Sequence, residues 1–337
     1  MTGKIITMGE IILRLSPPNN QRLLQSDTLN MDFGGAEANV SVLLGNLGVD
    51  NYMISKLPGN DMGKRAIRFL KSNNVNTRYI IEEGDRLGLY YFEKGAASRN
   101  AKVIYDRKDS AMANTKKGDF DFNEIFKGAE WFHISGITPM LSEGCYNITK
   151  EAIMVAKQNN VKISVDLNYR SLLGTYGEFK VIMKEIIKDA NLCFGWIEEE
   201  KIEDYSPLEY DGIIDYKYFE KVFTYMKEEF NVKNVVTTLR ENHSTTKNSL
   251  ISLGYDGEKI ITSKKYTFDL IDRVGAGDAF AGGVLYELLN KSNLEKAINF
   301  GLASSVLKHS ILGDSSILQS EDEIYKVMEQ QGFGILR

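Results

Sequence analysis

Asp278 is the residue of this chain best placed to do chemistry. It closes the run Asp272-Arg273-Val274-Gly275-Ala276-Gly277-Asp278, and a helix-like apolar stretch follows through Ala279, Phe280, Val284, Leu285, Leu288 and Leu289. Glycines at a helix start leave backbone N–H groups bare. With the positive end of the helix dipole, those donors form a site for an anion such as a phosphate. Asp278 in the first turn adds a carboxylate beside that cradle. Phosphoryl transfer needs both parts: donors for the moving charge, and a base for the proton of the attacking hydroxyl. Taken alone, the pattern reads more readily as an Asp cap after a glycine turn.

A second run raises its weight. Gly34-Gly35-Ala36-Glu37-Ala38-Asn39-Val40 opens a helix, Leu47-Gly48-Val49 closes it, and Gly59-Asn60-Asp61-Met62-Gly63 follows. Here a glycine turn lets backbone approach a ligand, and Asn39 faces the same site. The two runs, about 240 residues apart and in this order, resemble the two signatures of the ribokinase-like (PfkB-type) carbohydrate kinases. The resemblance extends over essentially the whole chain. It implies a single α/β domain over 1–337, a three-layer α/β/α sandwich with a mainly parallel sheet. A small β-sheet lid would be inserted from 11–33 and 87–110.

Two further segments narrow the resemblance. Val165-Asp166-Leu167-Asn168-Tyr169-Arg170 follows a strand, where α/β sheets bind ligands. In extended chain Asn168 and Arg170 share a face, and Arg170 offers a planar fork for a carboxylate or phosphate. With 135–142 (Ser-Gly-Ile-Thr-Pro-Met-Leu-Ser), this pattern resembles the branch that phosphorylates 2-keto-3-deoxygluconate. That branch implies substrate contacts at Gly34, Tyr90, Tyr105, Arg107, Arg170, Asp278 and Asp314. Two arginines converging on one substrate suit an acid, since a neutral hexose leaves a charge unpaired.

For ATP the expected contacts are Asn168, Arg170, Arg240 and the backbone of Gly275, Ala276 and Gly277. The chain departs from the family there. Relatives carry Lys-x-Gly-x-x-Gly after a strand, whereas 239–247 has no glycine, so nucleotide contact would fall to side chains such as Arg240, Asn242 or Lys247. Trp196 stands where relatives have Asn or Ser, with Glu199 as the expected organiser of magnesium-bound water. Residues 59–65 fail a Walker A pattern: the glycines are too close and Arg65 replaces the Ser or Thr. No ligand cluster for a resident metal is evident, so Mg2+ would arrive with ATP. The histidines read as bystanders, His133 satisfying backbone and His243 and His309 in polar surroundings without partners.

The elements that position these groups alternate. Strands are expected at 4–8, 52–56, 131–134, 161–167 and 232–239. Helices are expected at 36–47, 62–72, 143–158 and 293–308. That alternation predicts a parallel sheet covered on both faces. Residues 11–33 and 87–105 alternate apolar and polar instead, as hairpins do. Such a lid exposes open edges, a liability often met by pairing with a second copy, so a homodimer or higher homo-oligomer is expected. The acidic stretch 198–216 reads as a solvated connection.

Composition excludes several classes. A net charge of −5 offers no field for nucleic acid. Glu10 and Arg14 interrupt the apolar N-terminus, no run reaches membrane-spanning length, and the cysteines Cys145 and Cys193 are far apart. These features suit a cytoplasmic enzyme. The reading is a kinase for 2-dehydro-3-deoxy-D-gluconate, with sugar acid, ATP and magnesium as its ligands. A fructokinase or other neutral-sugar kinase is the rival enzyme, and a non-catalytic sugar-binding module is the rival from another class.

Overall fold

The computed structural model describes residues 3–199 and 210–329. Its strands, in chain order, are β1 (Lys4–Met8), β2 (Ile12–Ser16), β3 (Asn30–Gly34), β4 (Asn51–Leu57), β5 (Ile80–Glu82), β6 (Gly88–Glu93), β7 (Lys102–Asp106), β8 (Ala129–Ser135), β9 (Lys162–Asp166), β10 (Leu192–Phe194), β11 (Val235–Asn242), β12 (Lys247–Tyr255), β13 (Ile260–Thr262) and β14 (Tyr266–Asp269). The main sheet runs β13-β12-β11-β10-β9-β8-β1-β4-β5, with β14 also paired to β12. From β11 through to β5 every pairing is parallel. The far edge, β12 with β11, β13 and β14, is antiparallel.

Strand alternation divides the core between the two faces. Ile6, Phe132, Ile163 and Val165 point into one cluster, with Ile148, Phe179 and Phe223 from the helices Glu143–Gln158, Tyr176–Ile186 and Tyr216–Phe230. Ile5, Trp131 and Phe194 point into the other, against the helices Ala36–Asn46, Ala276–Leu289 and Leu294–Lys308. Side-chain caps start several helices: Asn60 accepts from the N–H of Met62 and Gly63, Ser142 from Cys145, and Asn293 from Lys296. Helices Ala36–Asn46 and Ala276–Leu289 begin instead at Gly35 and Gly275, with no side-chain cap. In the second, the N–H groups of Gly277 and Asp278 are left for something else.

The lid is a separate four-stranded sheet, β3-β2-β6-β7. Its two hairpins are joined by a parallel β2–β6 pairing. Leu13 and Phe33 seat it on the main body, against Val42 and Leu57. Three expectations change. The strand read at 232–239 lies at Val235–Asn242. Residues 239–247 are not an open loop: β11 and β12 stay paired from Val235↔Tyr255 to Asn242↔Asn248, leaving a short turn at 243–246. The side chains there repeat the strand pattern, which is why no glycine is present. The helices Tyr176–Ile186 and Tyr216–Phe230 were not anticipated. Part of the stretch 198–216 lies outside the described residues. No described helix is long and apolar enough to cross a membrane.

Candidate active site

Asp278 sits in the first turn of helix Ala276–Leu289, where sequence placed it. Gly275 has φ +78°, and a Cβ there would overlap the carbonyl oxygen of Asp314. Both facts require glycine. Gly277 is different: a Cβ there would meet nothing, because it faces open space. Among the described residues the N–H groups of Gly277 and Asp278 find no acceptor, as an anion cradle needs.

The carboxylate of Asp278 is held by Asn39, whose Nδ2 donates to Oδ2 at 2.6 Å. Ser315 Oγ donates to Asn39 Oδ1 at 2.9 Å, fixing which way the amide points. Burial raises the pKa of Asp278 to about 7, opposed by the Asn39 bond and reinforced by the nearby charge of Asp166. Asp166, at the end of β9, is likewise raised to about 7 by burial, against the pull of Arg170. A carboxyl poised near neutrality suits a general base. Glu37 makes a third carboxylate on the same cavity. Its Oε1 accepts from Ser135 N–H, Ser135 Oγ and Thr138 Oγ1, pinning the turn after β8 to helix Ala36–Asn46.

These groups face a cavity of about 500 Å³ roofed by the lid. Tyr90, Tyr105, Arg107, Asn168, Arg170, Gly275, Gly277, Asp278 and Asp314 all line it. Gly34 does not. Its Cα packs on the Asp314 side chain, which a Cβ would displace, and Gly35 lines the cavity beside it. Tyr90 Oη donates to Asp314 Oδ2 at 2.5 Å. Arg107 lies just beyond β7 and is already committed: its Nε and Nη2 both donate to Glu10 Oε2, the first at 2.8 Å. It is therefore not a bare fork awaiting a carboxylate. Asn168 has φ +40°, so it and Arg170 do not share an extended face. A turn beyond β9, tied by Asn168 N–H to Asp166 Oδ1, brings both to the cavity instead. The exposed side chain of Arg170 makes no hydrogen bond or ion pair among the described residues, so it is a cation free to meet a ligand; Arg273, also exposed, lines the same cavity.

A second cavity, of about 270 Å³, shares Asp166, Asn168 and Gly277 with the first and continues past Trp196, Glu198, Thr237 and Thr238. Glu198 lines it beside Asp166, and Glu199 does not. Glu198 accepts from Tyr218 Oη, whereas Glu199 is exposed. Among the described residues no cluster of His, Cys, Asp or Glu could hold a metal by itself. Asp166 and Glu198 fit a magnesium ion carried on nucleotide phosphates, whose waters carboxylates can orient. Arg240 lines neither cavity; it pairs with Leu250 in the β11–β12 ladder, its side chain makes no hydrogen bond among the described residues, and burial with neighbouring Arg273 lowers its pKa to about 10. Asn242 bonds Asn248 across the hairpin, and Lys247 begins β12.

The histidines are tied elsewhere. His133 pairs with Ser164 Oγ rather than backbone, and His243 with Ser249 Oγ. His309 is not in polar surroundings: it is buried, with Nδ1 on the Ser305 carbonyl and its ring against Phe268. Sequence reasoning missed Arg14, Glu10, Glu37 and Ser315. The signal for the first two was present, as lone charges inside the apolar run around Ile11–Leu13.

The chain matches the pfkB family of carbohydrate kinases over residues 2–319. It is 30% identical over 337 residues to a 2-dehydro-3-deoxygalactonokinase of Haloferax volcanii, each covered in full. It is 24% identical to a 5-dehydro-2-deoxygluconokinase of Clostridium botulinum, over 97% of this chain and 94% of that one. The crystal structure of a 2-dehydro-3-deoxygluconokinase from Thermotoga maritima superposes with a TM-score of 0.89 at 37% identity, covering 97% of this chain and 99% of that one.

Proposed function

Since this chain belongs to the pfkB family of carbohydrate kinases, we propose that it is an ATP-dependent kinase of 2-dehydro-3-deoxy-D-gluconate. The observation that carries the reading is the sharing of one cavity by a buried Asp278 near neutrality and the unbonded cation Arg170. A sugar acid offers groups for both. Its carboxylate pairs with Arg170, and its terminal hydroxyl reaches Asp278. Tyr90 and Tyr105 contact the sugar from the lid, and Asp314 contacts it from the main body. Arg107 acts as part of a pair with Glu10, and its remaining donors reach the substrate.

In the transfer step the hydroxyl oxygen attacks the γ-phosphorus as Asp278 takes the hydroxyl proton. The bond to the bridging oxygen breaks, releasing ADP. The free N–H groups of Gly277 and Asp278 face the transferring group, whose charge they stabilise at the helix start; Gly275 shapes that turn, and Ala276 N–H is already donated to the Arg273 carbonyl at 3.4 Å. Asn168, Thr237 and Thr238 border the path of the nucleotide. Magnesium, when bound with ATP, neutralises phosphate charge, and Asp166 and Glu198 orient its water. The exposed edge strand β7 supports self-association through the lid, with Val103 and Ile104 partly in solvent.

The Haloferax relative is named for the galactonate epimer, so the epimer is the finer question. The test is ADP release with 2-dehydro-3-deoxygluconate, its galactonate epimer and fructose. We expect the gluconate acid to be used best. Preference for the other acid changes the epimer only, and preference for fructose replaces the reading with a neutral-sugar kinase.

A further inference from the structure

Arg14 belongs to the lid but does not line the cavity. It is 3% exposed, and its guanidinium spans two carboxylates of the main body: Nη2 to Asp272 Oδ2 at 2.8 Å and Nη1 to Asp314 Oδ1 at 3.0 Å. Its Cζ lies 4.2 Å from the ring centre of Phe92, on the neighbouring lid strand β6. Its Nε is buried without an acceptor among the described residues. The group is thus placed by its two carboxylates rather than by full solvation of its own donors. A planar fork can hold two carboxylates at a set angle, which a point-charge ammonium cannot.

Each carboxylate leads to a different part of the site. Asp272 begins the anion turn: its Oδ1 accepts from Val274 N–H at 3.1 Å, one residue before Gly275. Its Oδ2 also accepts from Gly313 N–H at 3.3 Å. Asp314 faces the sugar side through Tyr90 and carries the carbonyl against which Gly275 packs. The next residue, Ser315, orients Asn39 on Asp278. Beneath them Lys308, fully buried, donates to the Ile311 carbonyl and holds the same loop. Lid, anion turn and the support of the base therefore meet on one side chain.

We infer that Arg14 is a positioning residue that couples sugar binding under the lid to the geometry of the anion turn at 272–278. This rests on the kinase reading above and adds to it a residue that touches neither substrate. Coupling through such a joint is reciprocal: sugar should tighten nucleotide by the same factor that nucleotide tightens sugar.

The test uses the whole enzyme, 2-dehydro-3-deoxygluconate, and a non-hydrolysable ATP analogue with magnesium. In wild type we expect each ligand to tighten the other by at least ~5-fold, the low end of ordinary coupling. Arg14→Lys should bind each ligand alone within about 3-fold of wild type, yet show coupling near 1 and a kcat at least ~10-fold lower. Retained coupling and kcat in Arg14→Lys overturn the inference. Should that variant not fold, wild type decides alone. Sugar acid without nucleotide should slow amide hydrogen exchange across 273–278, and unchanged exchange there overturns the inference. Failure of the acid to turn over at all sinks the substrate reading instead; the same measurements are then made with the sugar that does.

Discussion

Asn39 and Asp278 stand 239 residues apart in the chain and 2.6 Å apart in the fold. One begins near the start of helix Ala36–Asn46 and the other in the first turn of helix Ala276–Leu289, so the bond locks two uncapped helix starts onto one cavity. The Asp278 carboxylate, the proposed base, is held by a neutral donor rather than a cation. That leaves its pKa high, as burial dictates, instead of stabilising the carboxylate into inactivity as a proton acceptor.

Asp278→Asn keeps the shape and can still accept from Asn39, but it cannot take a proton. We expect turnover to fall at least ~100-fold with sugar binding little changed. Single-turnover kinetics and calorimetry check this; near-native turnover would reduce Asp278 to a helix cap.

The same variant should be more stable than wild type at alkaline pH. In the folded chain Asp278 is raised to about 7 from an ordinary 3.8, so the native state holds a proton that the unfolded chain releases. Stability contributed by that proton is present below about pH 4 and is lost as pH rises to 7. Replacing the carboxyl removes this loss, by about 2–4 kcal/mol at pH 8 and by almost nothing at pH 4. Thermal melts at the two pH values test it, and an equal shift at both would contradict the assignment.

Activity should rise with pH along a limb whose midpoint is near 7. Asp278 and Asp166 are both raised to about 7 and influence each other, so the midpoint belongs to the pair. Asp166→Asn removes a neighbouring negative charge and should move the limb to lower pH. A kcat/KM profile that is flat between pH 5.5 and 8 would rule out a base of this kind.

Arg107 and Arg170 should fail in different ways. Arg170→Ala removes an exposed charge, so melting should hardly change while the preference for the acid over a neutral hexose falls at least ~10-fold. Arg107→Ala strands Glu10, which is 3% exposed, at a cost of about 3–5 kcal/mol. Adding Glu10→Gln should recover part of that loss. Equal melting losses in the two single variants would refute the distinction.

Gly275 and Gly277 give a paired test. Gly275→Ala meets both a positive φ and the Asp314 carbonyl, so it should destabilise the fold as well as abolish activity. Gly277→Ala adds a methyl to open space, so the melt should stay near wild type while the phosphate cradle is blocked. A destabilised Gly277→Ala enzyme would show that this face is packed rather than open.

Much of the architecture was legible because it is written in local periodicity. Strand and helix spacing predicts most of the parallel sheet and its flanking helices, and turn glycines mark where two helices begin at one cavity. Asp278, Asn39 and Arg170 were legible because their residue types sit at strand and helix ends, where backbone donors are free. What local spacing does not carry is which charges neutralise one another. Arg107 reads as a bare fork until Glu10, 97 residues away, is folded against it. Residues 239–247 read as a loop lacking its glycines until cross-strand pairing makes them a hairpin. Arg14 reads only as a break in an apolar run. Its partners lie some 260 and 300 residues on, and only closure of the lid over the main sheet brings their carboxylates to its two ends. Backbone conformation follows from near neighbours, but burial and ion pairing depend on distant chain segments meeting, so the charge pattern of the site was decided by tertiary structure.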